Sequence, residues 1–268
     1  SVVGHLQVVK LRAQDTFIDV AQAYHLGFDE LVEANPGVDP WVPGEGTEVV
    51  LPSQFILPDA PREGIVLNAP SKRLFYFPKP RAGEAAVVYT FPISIGREGW
   101  ATPVGATRIA SKQKDPVWRV PASIRKEHAE DGDPLPPVVP PGPDNPLGRY
   151  AMRLAIPGDY LIHGTNKPAG VGMRISHGCI RVEDPQKLAA LLMRQAIDAI
   201  NEAIATGNTT RRNLPEPVPV FVVYETAFAD ADGKLQFRPD IYGRDAEIWA
   251  YLDPKRRAMA ERPGQQRP

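Results

Sequence analysis

Two short segments carry the decisive pattern: Tyr160-Leu161-Ile162-His163-Gly164-Thr165-Asn166 and, nine residues on, Ser176-His177-Gly178-Cys179-Ile180-Arg181. Together they hold the chain's only cysteine and two of its five histidines. The thiolate is the nucleophilic form of cysteine, and a neighbouring imidazole can accept the thiol proton. Residues 160–163 read as a strand, and the Gly and Pro residues that follow allow the chain to turn back. His163 is thus expected to pair with Cys179 across a hairpin. Gly178 gives a substrate carbonyl close access and leaves backbone N–H groups to hold an oxyanion. Arg181, two residues beyond Cys179, falls on the same strand face and suits a substrate carboxylate.

Blander readings compete. A lone cysteine is usually a small buried hydrophobe, but Ser-His-Gly-Cys-x-Arg is a poor core sequence. Zinc takes N and S ligands, so His163, His177 and Cys179 could form a three-ligand site with water. The spacing matches no familiar zinc motif, and neither metal nor cofactor is expected. His5, His25 and His128 have no chemical company in the sequence and read as structural or surface residues.

Outward from this segment the chain reads as mainly β. Strands are expected over 65–68, 73–77, 86–95, 107–111, 150–156, 160–163, 218–224 and 235–237, separated by Gly and Pro turns. The 30 prolines and 22 glycines argue against a helical bundle. Residues 133–146 contain seven prolines and read as an extended loop, a candidate cover for a cleft. One long helix is expected, with Asp184 as N-cap, Pro185 at its first position and Gly207 after its last turn. A frayed helix or tail is expected over the last fifteen residues.

The first 56 residues form a separate βααβ pattern. A strand at 5–11 precedes Asp15, read as a helix cap, and Phe17, Ile18, Val20, Ala21 and Tyr24 follow at helical spacing. A second short helix over 29–34 is stopped by Asn35-Pro36-Gly37, and residues 47–51 close the unit as a strand. The Pro-rich joint 57–61 leads to the larger domain, giving units at 1–56 and 62–225 and an extension at 226–268.

Composition excludes several classes. In 268 residues, 31 basic side chains balance 32 acidic ones, which argues against nucleic acid as the main partner. No apolar run approaches the ~20 residues needed to cross a bilayer. The chain starts at Ser1 rather than Met, which fits an exported protein whose signal peptide has been removed.

The paired segments resemble the signature of the L,D-transpeptidase (YkuD-type) catalytic domain. Thr102-Pro103-Val104-Gly105 and Asn145-Pro146-Leu147-Gly148 precede them in the expected order. The resemblance covers residues 62–225 and implies a β-sandwich-like catalytic domain. The first unit is similar to a LysM module, through Gln14-Asp15-Thr16-Phe17, Leu31, Asn35-Pro36 and Val50-Leu51-Pro52. That module binds N-acetylglucosamine-containing glycans. The combination resembles the periplasmic, peptidoglycan-acting subgroup of Gram-negative bacteria.

By resemblance, Cys179 is the nucleophile that forms a thioester with a tetrapeptide stem, and His163 is the base. The backbone carbonyl of Gly164 would orient the imidazole; many family members carry Ser there. His177, Gly178 and Cys179 would line the oxyanion site, and Ser176 and Arg181 the substrate pocket. The acceptor would be a second diaminopimelate side chain, giving a 3-3 cross-link, or the C-terminal lysine of an outer-membrane lipoprotein. An L,D-carboxypeptidase on the same scaffold and a non-catalytic peptidoglycan-binding protein are the alternatives.

Overall fold

A computed structural model describes residues 1–246 apart from positions 81, 195–196, 207–209 and 231. The predicted frayed helix or tail over the last fifteen residues, and Gly207 as the helix stop, lie outside the described residues.

The chain opens with β1 (Val2–Gly4), β2 (Gln7–Lys10), α1 (Phe17–Tyr24), α2 (Phe28–Ala34), β3 (Glu48–Leu51) and β4 (Gln54–Ile56). Strands β2 and β3 pair antiparallel, and β1 pairs with β4. Thr16, not Asp15, caps α1: its hydroxyl accepts the Asp19 N–H while Asp19 accepts the Thr16 N–H at 2.9 Å. This reciprocal box satisfies two otherwise orphan donors. Asp15 instead ties back to the Arg12 guanidinium at 2.7 Å. Phe17, Val20, Leu26, Leu31, Val49 and Leu51 form a core private to this unit. Asn35 closes it, bonding the carbonyls of Leu31 and Val50 and the Val50 N–H.

The larger unit continues with β5 (Gly64–Asn68), β6 (Arg73–Phe77), β7 (Tyr89–Gly96), β8 (Gly105–Lys114), β9 (Trp118–Arg119), α3 (Ala122–Glu130) and β10 (Val138–Val139). Next come β11 (Tyr150–Leu154), β12 (Leu161–His163), a 3-10 turn at Pro168–Gly170, β13 (Arg174–Ser176) and β14 (Ile180–Val182). Helices α4 (Pro185–Met193) and α5 (Ile197–Ala205) lead into β15 (Thr210–Val223), and β16 (Ala227–Ala229) pairs with β17 (Leu235–Phe237). Nine strands join in the order β13-β7-β14-β12-β11-β8-β15-β5-β6, and β6 also pairs with β7. Eight of these pairings therefore close on themselves, so the expected sandwich is one continuous sheet.

The residues of β5 and β6 explain why their sequences run apolar without a break. Ile65, Leu67, Leu74 and Tyr76 enter the main core, whereas Val66, Phe75 and Phe77 face a second cluster with Leu57, Val3 and Phe55. A strand buried on both faces loses the usual alternation.

The single long helix expected after Asp184 is two helices. Asp184 does cap α4, accepting the Lys187 N–H at 2.8 Å, and Pro185 takes the first position. Arg194 then turns left-handed at φ 52° and ends α4. Its N–H bonds the Leu191 carbonyl in the tightened last turn. Leu188 and Leu192 drive α4 into the main core, while Ala189 and Ala190 meet Tyr150 and Ile200.

Several features escaped the sequence reading. Helix α3 was not expected. The Pro-rich stretch is pinned rather than free, because Val138 and Val139 pair with β9. Asn145 anchors it further, donating to the Pro116 carbonyl at 2.8 Å and accepting the Leu147 N–H at 2.9 Å.

The amino-terminal unit docks on the sheet through charge and close backbone contact. Arg73, 1% exposed, makes a two-pronged contact with Glu30, and Lys72 meets Asp29 at 2.6 Å. A Cβ on Gly172 would fall 2.4 Å from Gly27 Cα, so the two backbones touch where only glycine fits. Gly172 lies in the connection between His163 and Cys179.

Candidate active site

His163 ends β12 and Cys179 immediately precedes β14, the neighbouring strand, but the two are not paired across a hairpin. Strands β12 and β14 run parallel, with Ile162 opposite Ile180 and His163 opposite Arg181. A parallel neighbour needs a crossover. The connection provides it by laying β13 parallel to the end of β7, with Arg174 opposite Ile95 and Ser176 opposite Gly96. Cys179 precedes the first residue of β14, so the turn at Gly178 rather than the strand pleat sets its direction.

His163 is buried, and its Nδ1 lies 2.5 Å from the Gly164 carbonyl. A carbonyl accepts only, so Nδ1 carries the proton and Nε2 is left with a free lone pair. Burial and the Arg181 charge push the imidazole down to about 4, against the smaller opposing pull of the Gly164 and Leu147 carbonyls. The ring is therefore neutral at physiological pH. A Cβ on Gly164 would fall 2.7 Å from Pro185 Cγ, so the first residue of α4 crowds this position.

Cys179 is half-buried, and its Sγ lies 3.4 Å from the Asp159 carbonyl. Burial pushes its thiol up; a Leu161 backbone hydrogen bond and the Arg181 charge oppose that in part. Both shifts favour thiol and neutral imidazole over an ion pair. The Asp159 contact had no signal in the sequence, because it is made by a main-chain atom.

The turn before Cys179 is held from several sides. The Ser176 hydroxyl donates to the Cys179 carbonyl, and the Thr102 hydroxyl donates to the Gly178 carbonyl at 3.0 Å. Gly178 adopts φ +94°, and a Cβ there would fall 2.9 Å from the Tyr160 ring. Among the described residues, Arg181 Nε is buried with no hydrogen-bond partner.

The His177 ring belongs to a polar cluster beside this turn. Its Nε2 lies 3.2 Å from both the Arg97 guanidinium and the Glu127 carboxylate, and Trp100 meets the ring edge-on at 5.0 Å. Burial, then Arg97, His128 and Arg181, push this imidazole down to about 4. His128 was expected to stand alone, yet its ring lies 5.9 Å from His177 because α3 brings it there. His25 likewise contacts Glu183 at 2.9 Å across the junction of the two units. No group of three or more His, Cys, Asp or Glu side chains suited to a metal occurs among the described residues.

A thiol just ahead of β14, a neutral imidazole on β12 and a glycine turn are groups that acyl transfer can use. Residues 62–221 match YkuD, the L,D-transpeptidase catalytic domain, and the chain belongs to that family. It is 47% identical over 168 residues to the probable L,D-transpeptidase YcfS of Escherichia coli K12, covering 62% of this chain and 51% of that protein. The probable L,D-transpeptidase YbiS of the same organism is 43% identical over 185 residues, covering 68% of this chain and 58% of that one. The aligned regions thus span little more than half the length of these relatives. L,D-transpeptidase 3 of Mycobacterium tuberculosis aligns over 66% of this chain and 67% of its own at 19% identity, with a TM-score of 0.34.

Proposed function

We propose that the protein is a cysteine-dependent L,D-transpeptidase that acts on peptidoglycan in the periplasm. Cys179 attacks the diaminopimelate carbonyl of a tetrapeptide stem, releases the terminal D-alanine and retains the stem as a thioester. His163 Nε2 takes the thiol proton as the S–C bond forms and passes it to the departing amine. In the second half-reaction it takes a proton from the attacking acceptor amine as the new amide bond forms, and returns it to the Cys179 sulfur as the thioester breaks. A diaminopimelate side chain as acceptor yields a 3-3 cross-link, and a C-terminal lysine yields an attached outer-membrane lipoprotein.

The observation that carries this reading is a neutral, buried His163 fixed through Nδ1 on Gly164, one strand from a half-buried thiol. General-base assistance of this kind contributes roughly 10²–10⁴-fold. Developing oxyanion charge falls to backbone N–H groups at the Gly178–Cys179 turn. The unpartnered Nε of Arg181 suits a stem carboxylate. Neither metal nor cofactor enters the cycle.

The amino-terminal βααβ unit serves, in this reading, as a LysM-like module that holds the glycan. Its own core and its paired β2 and β3 support that role. Cosedimentation of the full chain with insoluble peptidoglycan tests it, and a protein left wholly in the supernatant would refute it.

Intact mass after incubation with imipenem, an acylating β-lactam, tests the central claim. One adduct on the wild type and none on Cys179→Ala is expected. A folded wild-type protein that stays unmodified would overturn it. Incubation with stem tetrapeptides, with and without a lysine-ended peptide, then separates the two acceptors.

A further inference from the structure

The described segment from Thr226 onward lies beyond the family-matched residues 62–221, yet it reaches the turn that carries Cys179. The Tyr242 hydroxyl donates to the Gly96 carbonyl at 2.7 Å and accepts the Thr102 N–H at 3.3 Å. The Gly96 N–H in turn donates to the Thr102 hydroxyl at 3.1 Å, and that hydroxyl donates to the Gly178 carbonyl. Tyr242, Gly96 and Thr102 form a closed ring of hydrogen bonds, and from it the Thr102 hydroxyl bonds the peptide joining Gly178 to Cys179.

That peptide has little freedom of its own to settle its plane. Gly178 sits at φ +94°, in a region glycine enters as easily as its mirror image. Across a trans peptide the carbonyl and the N–H point in opposite directions. A hydroxyl that pins the Gly178 carbonyl therefore turns the Cys179 N–H away from Thr102. Room for drift is small, because a Cβ on Gly96 would fall 3.0 Å from Gly178 Cα.

Tyr242 is itself held from behind. Its ring stacks on Tyr224 with centroids 5.9 Å apart, and its N–H donates to the Tyr224 hydroxyl at 2.8 Å. The Tyr224 hydroxyl donates to Asp240, which also accepts the N–H groups of Arg244 and Asp245 at 2.8 Å. Arg174 of β13 donates to the Ile241 carbonyl. The segment is knotted to itself, and β13 and β7 hold it against the site.

We propose that Tyr242 is a positioning residue for the acylation step, acting through Thr102 to aim the Cys179 N–H at the oxyanion. The idea rests on the transpeptidase reading above, because it assumes that an oxyanion forms at this turn. It makes the carboxy-terminal extension part of the working site rather than an appendage.

The test compares two reactions of the same thiol. Acylation by imipenem passes through a tetrahedral oxyanion, whereas alkylation by iodoacetamide is a displacement that forms none. Tyr242→Phe keeps the stacked ring and removes only the hydroxyl. It is expected to slow acylation about tenfold, less than the 10²–10³ of a deleted oxyanion donor, with alkylation within about twofold of wild type. Thr102→Val is expected to act the same way, and the double variant to be no slower than Thr102→Val alone. Unchanged acylation in Tyr242→Phe would overturn the proposal. Equal losses in both reactions would do so too, since they would mark a structural role. A wild type that alkylates but never acylates would instead remove the transpeptidase reading, and this proposal with it.

Discussion

His163 and Arg181 are register partners across the parallel pair β12–β14, so a fixed positive charge lies beside the buried imidazole. Burial and that charge act in the same direction, and together they keep the ring neutral. The proposed base is thus ready to accept a proton without first losing one, and burial of Cys179 favours its protonated form.

The first consequence concerns pH and rate. With His163 at about 4, the acid limb of imipenem acylation is expected near pH 4 rather than near the ordinary histidine value of about 6.5. Stopped-flow acylation between pH 4 and 8 measures this. A limb centred near 6.5 would show that Arg181 and burial do not govern the ring.

Stability should carry the same signature. The folded His163 pKa lies below its unfolded value, so the unfolded chain binds more protons as pH falls from about 6.5 to about 4. Folding should weaken across that window by about 3 kcal/mol from His163, and His177 adds in the same direction. Urea titrations at pH 7 and pH 5 should show the loss, and His163→Gln should reduce it. Equal slopes in the two proteins would contradict the assignment.

The two motif histidines should separate kinetically. His163→Ala removes the proposed base and should slow acylation roughly 10²–10⁴-fold. His177→Ala disturbs contacts to Arg97, Glu127 and Trp100 and should cost far less. Pre-steady-state acylation of both variants decides, and a reversed order would mean that the base has been misassigned.

Gly178→Ala should strain the turn twice, through φ +94° and through a contact 2.9 Å from the Tyr160 ring. A cost of about 1–3 kcal/mol in thermal or urea unfolding is expected, with acylation falling more than stability. A variant as stable and as fast as wild type would show that the turn relaxes freely.

Removing Glu30 should be felt across the junction of the two units. Glu30→Ala leaves the Arg73 guanidinium buried without its carboxylate, and loss of one partner of such a pair costs about 3–5 kcal/mol. The double variant Arg73→Met with Glu30→Leu should recover most of that loss. Urea unfolding of both variants measures it.

The candidate site residues were legible because they lie close together along the chain. Only one thiol exists, and Ser176, His177 and Arg181 around it form no plausible core. The cap and first position of α4 were legible for the same local reason, as Asp184 and Pro185 are helix-start residues. The break at Arg194 was not, because arginine has no preference for a left-handed backbone that would announce it. Helix α3 buries only Ile124 among its nine residues, so it shows little apolar periodicity to read.

By itself the sequence determined which residues could do chemistry and which short stretches could form strands or start helices. These are properties of side-chain type and near neighbours. The tertiary structure alone decided their company: β14 parallel to β12, His128 beside His177, Asp159 under the thiol, Arg73 on Glu30, and Tyr242 behind Thr102. Each of these contacts joins residues whose meeting depends on closure of the sheet and packing of whole elements. No local pattern encodes such a meeting, because its energy is gained only once both partners have lost their solvent.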